Sequence, residues 1–319
     1  MGRSRTTNQA DEWGLRVSKR QRDSREYARR MRKIQERATA RHRRMRRANV
    51  AIAAVLVVFA VMVVAKLGGA GEGGGEPASP FPTGDAAAAI VTSLTSVPAA
   101  TLDQVGTGSA EVLPKAITGQ QVLTEGGKPL VLYVGAEYCP FCAAQRWPVV
   151  VALSRFGTFS GLTITASASD DVYPNTPTVS FHGSSYSSDV LTFQGVETSG
   201  RTRQGGSYEP LDQLTPQQAK LVQQFNAPPY VDAKSAGAIP FVDFANQAMA
   251  AGSSFSPELL AGMTAQQVTA ALSDPDSEVA KAVLGNANAI TTVLCKLTGD
   301  KPANVCTSPA ATAFQGRIG

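Results

Sequence analysis

Histidine and cysteine are scarce in this sequence, two and four residues respectively in 319. A zinc site needs about four nitrogen or sulfur ligands, commonly two C-x-x-C units or one C-x-x-C with paired histidines. Here a single C-x-x-C exists, Cys139 and Cys142. The other two cysteines, Cys295 and Cys306, have ten residues between them, and His42 and His182 lie far from each other in the chain. The spacing argues against any metal centre, and His182 alone gives no argument for a catalytic triad. A phosphate-cradling glycine loop is also missing, since the glycine run at 68–75 belongs to a linker. Neither a flavin nor a haem signature is present, so no cofactor is expected. No internal repeat is visible.

Charge is present but unevenly placed. Residues 1–47 hold 17 of the 30 basic residues and 5 of the 25 acidic ones, so the remainder of the chain is net acidic. The division falls at "ANVAIAAVLVVFAVMVVAKLGGAG". From Ala48 to Ala65 there are 18 residues without a charge. A helix of that length rises about 27 Å, close to the roughly 30 Å of a bilayer's apolar core. A cleaved signal peptide would have a short basic leader and a small-x-small site, and neither is evident. The run at 48–67 therefore reads as a transmembrane signal anchor. Basic residues crowd its N-terminal side, which places residues 1–47 in the cytoplasm and the chain beyond about 68 outside it. The arginines of 1–47 suit an anionic membrane surface, and topology already accounts for them, so no nucleic acid is expected.

After the anchor comes a Gly/Pro-rich linker, 68–84, which should act as a flexible tether. "DAAAAIVTSLTSVP" predicts a short helix with Asp85 as N-cap. "KPLVLYVG" predicts a strand, and its continuous apolar run Leu130–Val134 suits a central strand covered on both faces. "AAQRWPVVVALSRFG" has helical spacing and contains Pro148, which should kink it. "LTITASASD" predicts the second strand of a βαβ unit. "TVSFHGSSY" and "DVLTFQGVE" predict two more strands. "TPQQAKLVQQFN" predicts a helix capped by Thr215, and "AIPFVDFANQAMAAG" predicts strand, turn and strand. From Ser256 the pattern is helical up to "CKLTG", with a loose tail at 308–319.

This order puts Cys139 at a helix N-terminus, where unpaired N–H groups and the helix dipole stabilise a thiolate and lower its pKa. The two-residue spacer sets Cys142 one turn deeper, able to resolve a mixed disulfide. Cys139 is the candidate nucleophile and Cys142 the candidate resolver. A purely structural C-x-x-C bond is the competing reading. In an oxidising compartment four cysteines suggest two pairs, Cys139 with Cys142 and Cys295 with Cys306. The second pair reads as a structural staple for the last long helix; a second, relaying dithiol is the alternative. Tyr173, Tyr186, Tyr208 and Tyr230 could line a binding surface or simply pack.

"YVGAEYCPFC" with "GAIPFVDF" downstream resembles the thioredoxin-like superfamily, and Cys-Pro-aromatic-Cys is similar to glutaredoxins. That resemblance implies an α/β thioredoxin-like domain at 85–307 with a helical C-terminal region. It also implies a cis Pro240 beside the dithiol, with the Ile239 backbone offered to a substrate chain. "GAEYCPFCAAQRWP", "GAIPFVDFAN" and "LCKLTGDKPANVC" are closest to the bacterial and archaeal family called domain of unknown function 929, which carries a membrane anchor before such a domain. The sequence departs from the minimal fold in three ways. An insertion is expected at about 170–228, Pro148 lies one position later than the usual helix proline, and no clear buried acid is evident. Glu137 is the nearest carboxylate in sequence. The expected activity is a membrane-anchored, extracytoplasmic thiol–disulfide oxidoreductase working on envelope protein thiols or with a membrane redox partner. A non-catalytic binding module of the cell envelope, with structural disulfides, is the alternative.

Overall fold

The computed structural model describes residues 81–318 of the chain, within the unit Ala78–Gly319. The basic segment 1–47, the run 48–67 expected to be an anchor, and most of the expected linker 68–84 lie outside the described residues. Among the described residues no single helix is long and apolar enough to cross a membrane.

Helices α1 (Gly84–Thr95) and α2 (Ala99–Val105) come first, parted by Pro98, which sits at the N-cap of α2. Asp85 is not the cap of α1. Thr83 holds that position, and Asp85 lies in the first turn, where its charge complements the helix dipole. Short strands β1 (Lys115–Ala116) and β2 (Thr124–Glu125) lead to β3 (Lys128–Gly135), which is buried from Leu130 onward. Helix α3 (Pro140–Ser154) follows and continues past Pro148. Next come β4 (Thr158–Ser160), β5 (Thr163–Ala166), β6 (Pro177–Ser180) and β7 (Ser185–Ser187), which form two small antiparallel sheets, β4 with β7 and β5 with β6. Strand β8 (Thr192–Glu197) precedes the hairpin of β9 (Ser199–Gln204) and β10 (Ser207–Pro210).

Helix α4 (Pro216–Phe225) starts at a capping box: Thr215 Oγ1 accepts the Gln218 N–H, and the Gln218 side chain returns the bond. Strands β11 (Phe241–Phe244) and β12 (Ala248–Ala251) make the expected hairpin. The helical end comprises α5 (Ala265–Leu272), α6 (Glu278–Thr298), α7 (Ala303–Cys306) and α8 (Pro309–Thr312). Only one 3-10 turn forms at Pro257–Leu260, where a helix was expected.

The main sheet is mixed, ordered β1–β12–β11–β3–β2, with β8 also on β3. Strand β2 pairs with the first two residues of β3, and β8 runs parallel to the rest, Leu130–Gly135 against Thr192–Glu197. The parallel place expected for residues 163–166 thus belongs to β8. Strand β5 instead finds β6 after a ten-residue connection, an antiparallel pairing that needs no crossover. The stretch 170–228, expected as an insertion, supplies this strand of the main sheet.

Alternation along β3 separates two cores. Val131 and Tyr133 face a large cluster with Trp147, Val150, Val283 and Leu294 from α3 and α6. Leu132 and Val134 face a smaller one with Phe241, Leu221 and Phe225, closed by α4. Helix α3 therefore lies between sheet and α6 and is apolar nearly all round, as a helix covered on all sides must be. The turn after α2 lies flat on α6. A Cβ on Gly285 would come 2.5 Å from the Thr107 carbonyl oxygen, so only glycine permits that approach. Asn288 then satisfies two carbonyls at the end of α2, those of Leu102 and Gly106.

Candidate functional site

Strand β3 ends at Gly135, and the chain turns through Ala136–Tyr138 into α3. The turn is pinned from both sides: Glu137 N–H donates to Ser199 O at 2.8 Å, and Ala168 N–H donates to Tyr138 O at 2.9 Å. Cys139 is the N-cap of α3 and Pro140 its first residue. Proline fits there because that position has no intrahelical acceptor for an N–H.

The Cys139 sulfur accepts the Cys142 N–H at 3.3 Å, and its own S–H points to the Ile239 carbonyl oxygen at 3.9 Å. The Ile239–Pro240 peptide is cis, and Gly252 N–H holds the Pro240 carbonyl at 2.8 Å. Both thiols are free. They differ sharply in acidity. Hydrogen bonds from the Cys142 thiol and backbone lower the Cys139 pKa, with help from the Arg146 charge, and together they outweigh burial. Burial pushes the Cys142 thiol well up, and its hydrogen bond to Cys139 pushes it further. The pair thus holds one acidic sulfur at the surface end and one reluctant sulfur behind it.

Behind Cys142 lies an ion pair that sequence reasoning missed. Arg146 follows Cys142 by four residues, one helical turn on the same face. Its Nε and Nη2 donate to the Glu197 carboxylate at 2.7 and 2.6 Å, and Nη2 also donates to Ala136 O at 2.8 Å. Both side chains are fully buried. Against the effect of burial, Glu197 and Tyr133 raise the Arg146 pKa well above its ordinary value, so the guanidinium stays charged. The Tyr133 hydroxyl donates to Cys142 O at 3.4 Å, and the guanidinium carbon lies 5.9 Å from the Tyr133 ring centroid. Glu197 ends β8, and Asp212 receives its backbone N–H at 3.0 Å. The other Asp212 oxygen meets His182 Nδ1 at 2.7 Å, which gives His182 a surface partner but no nucleophile. The available signals were the one charged residue of a mostly apolar helix and one glutamate closing a strand. Neither names the other across 51 positions.

A second buried acid, Asp243, stands on β11 between Leu132 and Met249. Burial raises its pKa to about 7, although the Asn246 N–H bonds it. It lies near the turn of the β11–β12 hairpin, toward the opposite end of the strand from Pro240. Of the four tyrosines, Tyr173 packs on Phe141 and Tyr208 on Tyr138, the residues on either side of the Cys139–Pro140 step. Tyr186 packs on Phe159, and Tyr230 packs on Phe225.

Cys295 and Cys306 are joined by a disulfide that ties α6 to α7. The described residues contain no cluster of three or more potential metal ligands among His, Cys, Asp and Glu.

No curated protein and no protein of known structure matches this chain. The model of the family described as domain of unknown function (DUF929) matches residues 116–296. That span runs from β1 through most of α6, more than half of the sequence, and includes Cys139, Cys142, Arg146, Glu197 and Pro240. The chain belongs to the DUF929 family.

Proposed function

We propose that the chain is a thiol–disulfide oxidoreductase of thioredoxin-like design, anchored by residues 48–67 with its redox domain outside the cytoplasm. The observation that carries this reading is the unequal pair of thiols: an acidified Cys139 capping α3, with a protonated Cys142 hydrogen-bonded behind it.

In the reducing direction the Cys139 thiolate attacks one sulfur of a substrate disulfide. A Cys139–substrate disulfide forms, the substrate S–S bond breaks, and the leaving thiolate takes up a proton. Cys142 then gives up its proton and attacks the Cys139 sulfur. The Cys139–Cys142 bond forms and the second substrate thiol is released. Two electrons have passed from the protein to the substrate, with one proton from Cys142 and one from solvent. The oxidising direction is the reverse, with a substrate dithiol as the reductant. Arg146 supplies fixed positive charge one turn from the thiolate that forms at Cys142. The partner that restores the starting redox state is a second dithiol or disulfide protein of the envelope or membrane, and the basic residues 1–47 rest against anionic lipid.

One observation favours a second reading. Cys139 is only 6 % exposed, which suits a binding module whose dithiol is structural. Equilibration of the full chain with dithiothreitol buffers separates the two. An oxidoreductase has a Cys139–Cys142 potential within the range of known exchangers. A bond resistant below about −300 mV belongs to a structural role.

A further inference from the structure

Four large apolar side chains are exposed among the described residues: Val112, Val122, Phe141 and Val172. Two of these belong to the mouth of the dithiol site. Phe141, 40 % exposed, follows Cys139 by two residues, and Val172, 64 % exposed, neighbours Tyr173, whose ring meets Phe141 edge-on at 5.8 Å. An ordered apolar wall facing water gains free energy when an apolar partner covers it.

This wall is held in place. Asp170 accepts hydrogen bonds from Arg203 Nε at 2.7 Å and from the Tyr208 hydroxyl at 3.1 Å, tying the 170–173 loop to the β9–β10 hairpin. Tyr208 stacks on Tyr138, the residue before Cys139, with ring centroids 4.1 Å apart. The Arg203 guanidinium covers the Tyr208 ring at 4.2 Å.

The charge around this mouth is net negative by one, with Arg146, Arg201 and Arg203 set against Glu137, Asp170, Asp171 and Glu197. Arg146 is buried against Glu197, and Arg203 is paired with Asp170. Arg201 is engaged with the carbonyls of Ala166 and Ser167 and with Asn175. Glu137 and Asp171 have no ion-pair partner among the described residues. A thiol carrying carboxylates therefore meets repulsion, and an uncharged or basic one does not.

We propose that this site selects extended polypeptide segments whose cysteine is flanked by apolar and uncharged or basic side chains, and disfavours small anionic thiols. The inference rests on the oxidoreductase reading and names its substrate class. Phe141 and Val172 receive the flanking apolar side chain, while Glu137 and Asp171 reject acidic flanks.

The test uses the full chain in detergent micelles with Cys139 and Cys142 oxidised. Second-order rates of its reduction are measured for cysteinyl peptides of matched thiol acidity, flanked by Val/Phe, Ser, Arg or Glu, and for glutathione and dithiothreitol. The Val/Phe peptide should react about tenfold faster than the Ser peptide. The Glu peptide and glutathione should be slowest, and that deficit should shrink as salt is raised. Phe141→Ser and Val172→Ser should each lower the Val/Phe-to-Ser ratio. Val122→Ser, an exposed valine near β2 and the far end of β3, should keep it. Equal rates for all peptides, or glutathione matching the Val/Phe peptide, overturns the inference while leaving the oxidoreductase reading intact. Failure to react even with dithiothreitol takes down both.

Discussion

Arg146 grips Glu197 through two hydrogen bonds, 2.7 and 2.6 Å long, with neither side chain reached by solvent. Removing one partner strands a buried charge, which costs about 3–5 kcal/mol. Glu197→Gln and Arg146→Met should each lose that much in denaturant unfolding. The double variant Arg146→Met/Glu197→Leu should lose clearly less than their sum. Glu197→Gln should also make the dithiol more oxidising, because the unopposed guanidinium favours the Cys142 thiolate. Additive losses and an unmoved potential would contradict this account of the pair.

The two thiols should separate in alkylation. Iodoacetamide at neutral pH should modify Cys139 of the reduced protein and spare Cys142, as read by peptide mass. The Cys139 rate should rise with pH to a plateau, with its midpoint below that of an ordinary cysteine, because hydrogen bonding from Cys142 lowers the Cys139 pKa. Cys142 should titrate later, held up by burial.

Asp243 makes stability depend on pH in the direction opposite to a paired carboxylate. Its folded pKa, about 7, lies above the unfolded value near 4, so folding favours the neutral acid. That contribution is complete below about pH 4, declines as pH rises to about 7, and is constant above. Asp243→Asn removes the titration and keeps an oxygen for the Asn246 N–H. Urea unfolding from pH 4 to 8 should show the variant gaining on the native protein as pH rises, by up to roughly 3–4 kcal/mol. A gap that stays constant with pH would count against the buried, protonated acid.

The Cys295–Cys306 bond closes a loop of sequence separation 11. Chain entropy alone gives such a cross-link about 2–3 kcal/mol. The Cys295→Ala/Cys306→Ala protein should lose about that much stability in denaturant. Its dithiol potential should be unchanged, since this pair lies outside the Cys139–Cys142 site. A moved potential would point to electron relay between the two pairs.

Much of the architecture was legible where the signal is local. The apolar run Leu130–Val134, the Thr215 cap and the β11–β12 hairpin could be read because neighbouring residues determine them. So could the place of Cys139 at a helix start. Partnerships across the chain could not be read. Strand β5 and strand β8 are both short and moderately apolar, and only tertiary packing puts β8 rather than β5 beside β3. The same limit hid Arg146 with Glu197, and Asp170 with Arg203 and Tyr208. A charged residue in an apolar stretch announces that it needs a partner without saying which one.

The most direct measurement is capture of the covalent intermediate. The full-length Cys142→Ala protein, incubated with a disulfide-linked peptide, should accumulate a mixed disulfide on Cys139, identified by mass. The Cys139→Ala protein should accumulate none on Cys142. Equal capture by both variants, or by neither, would contradict an attacking sulfur at the start of α3 backed by a more deeply buried resolving one.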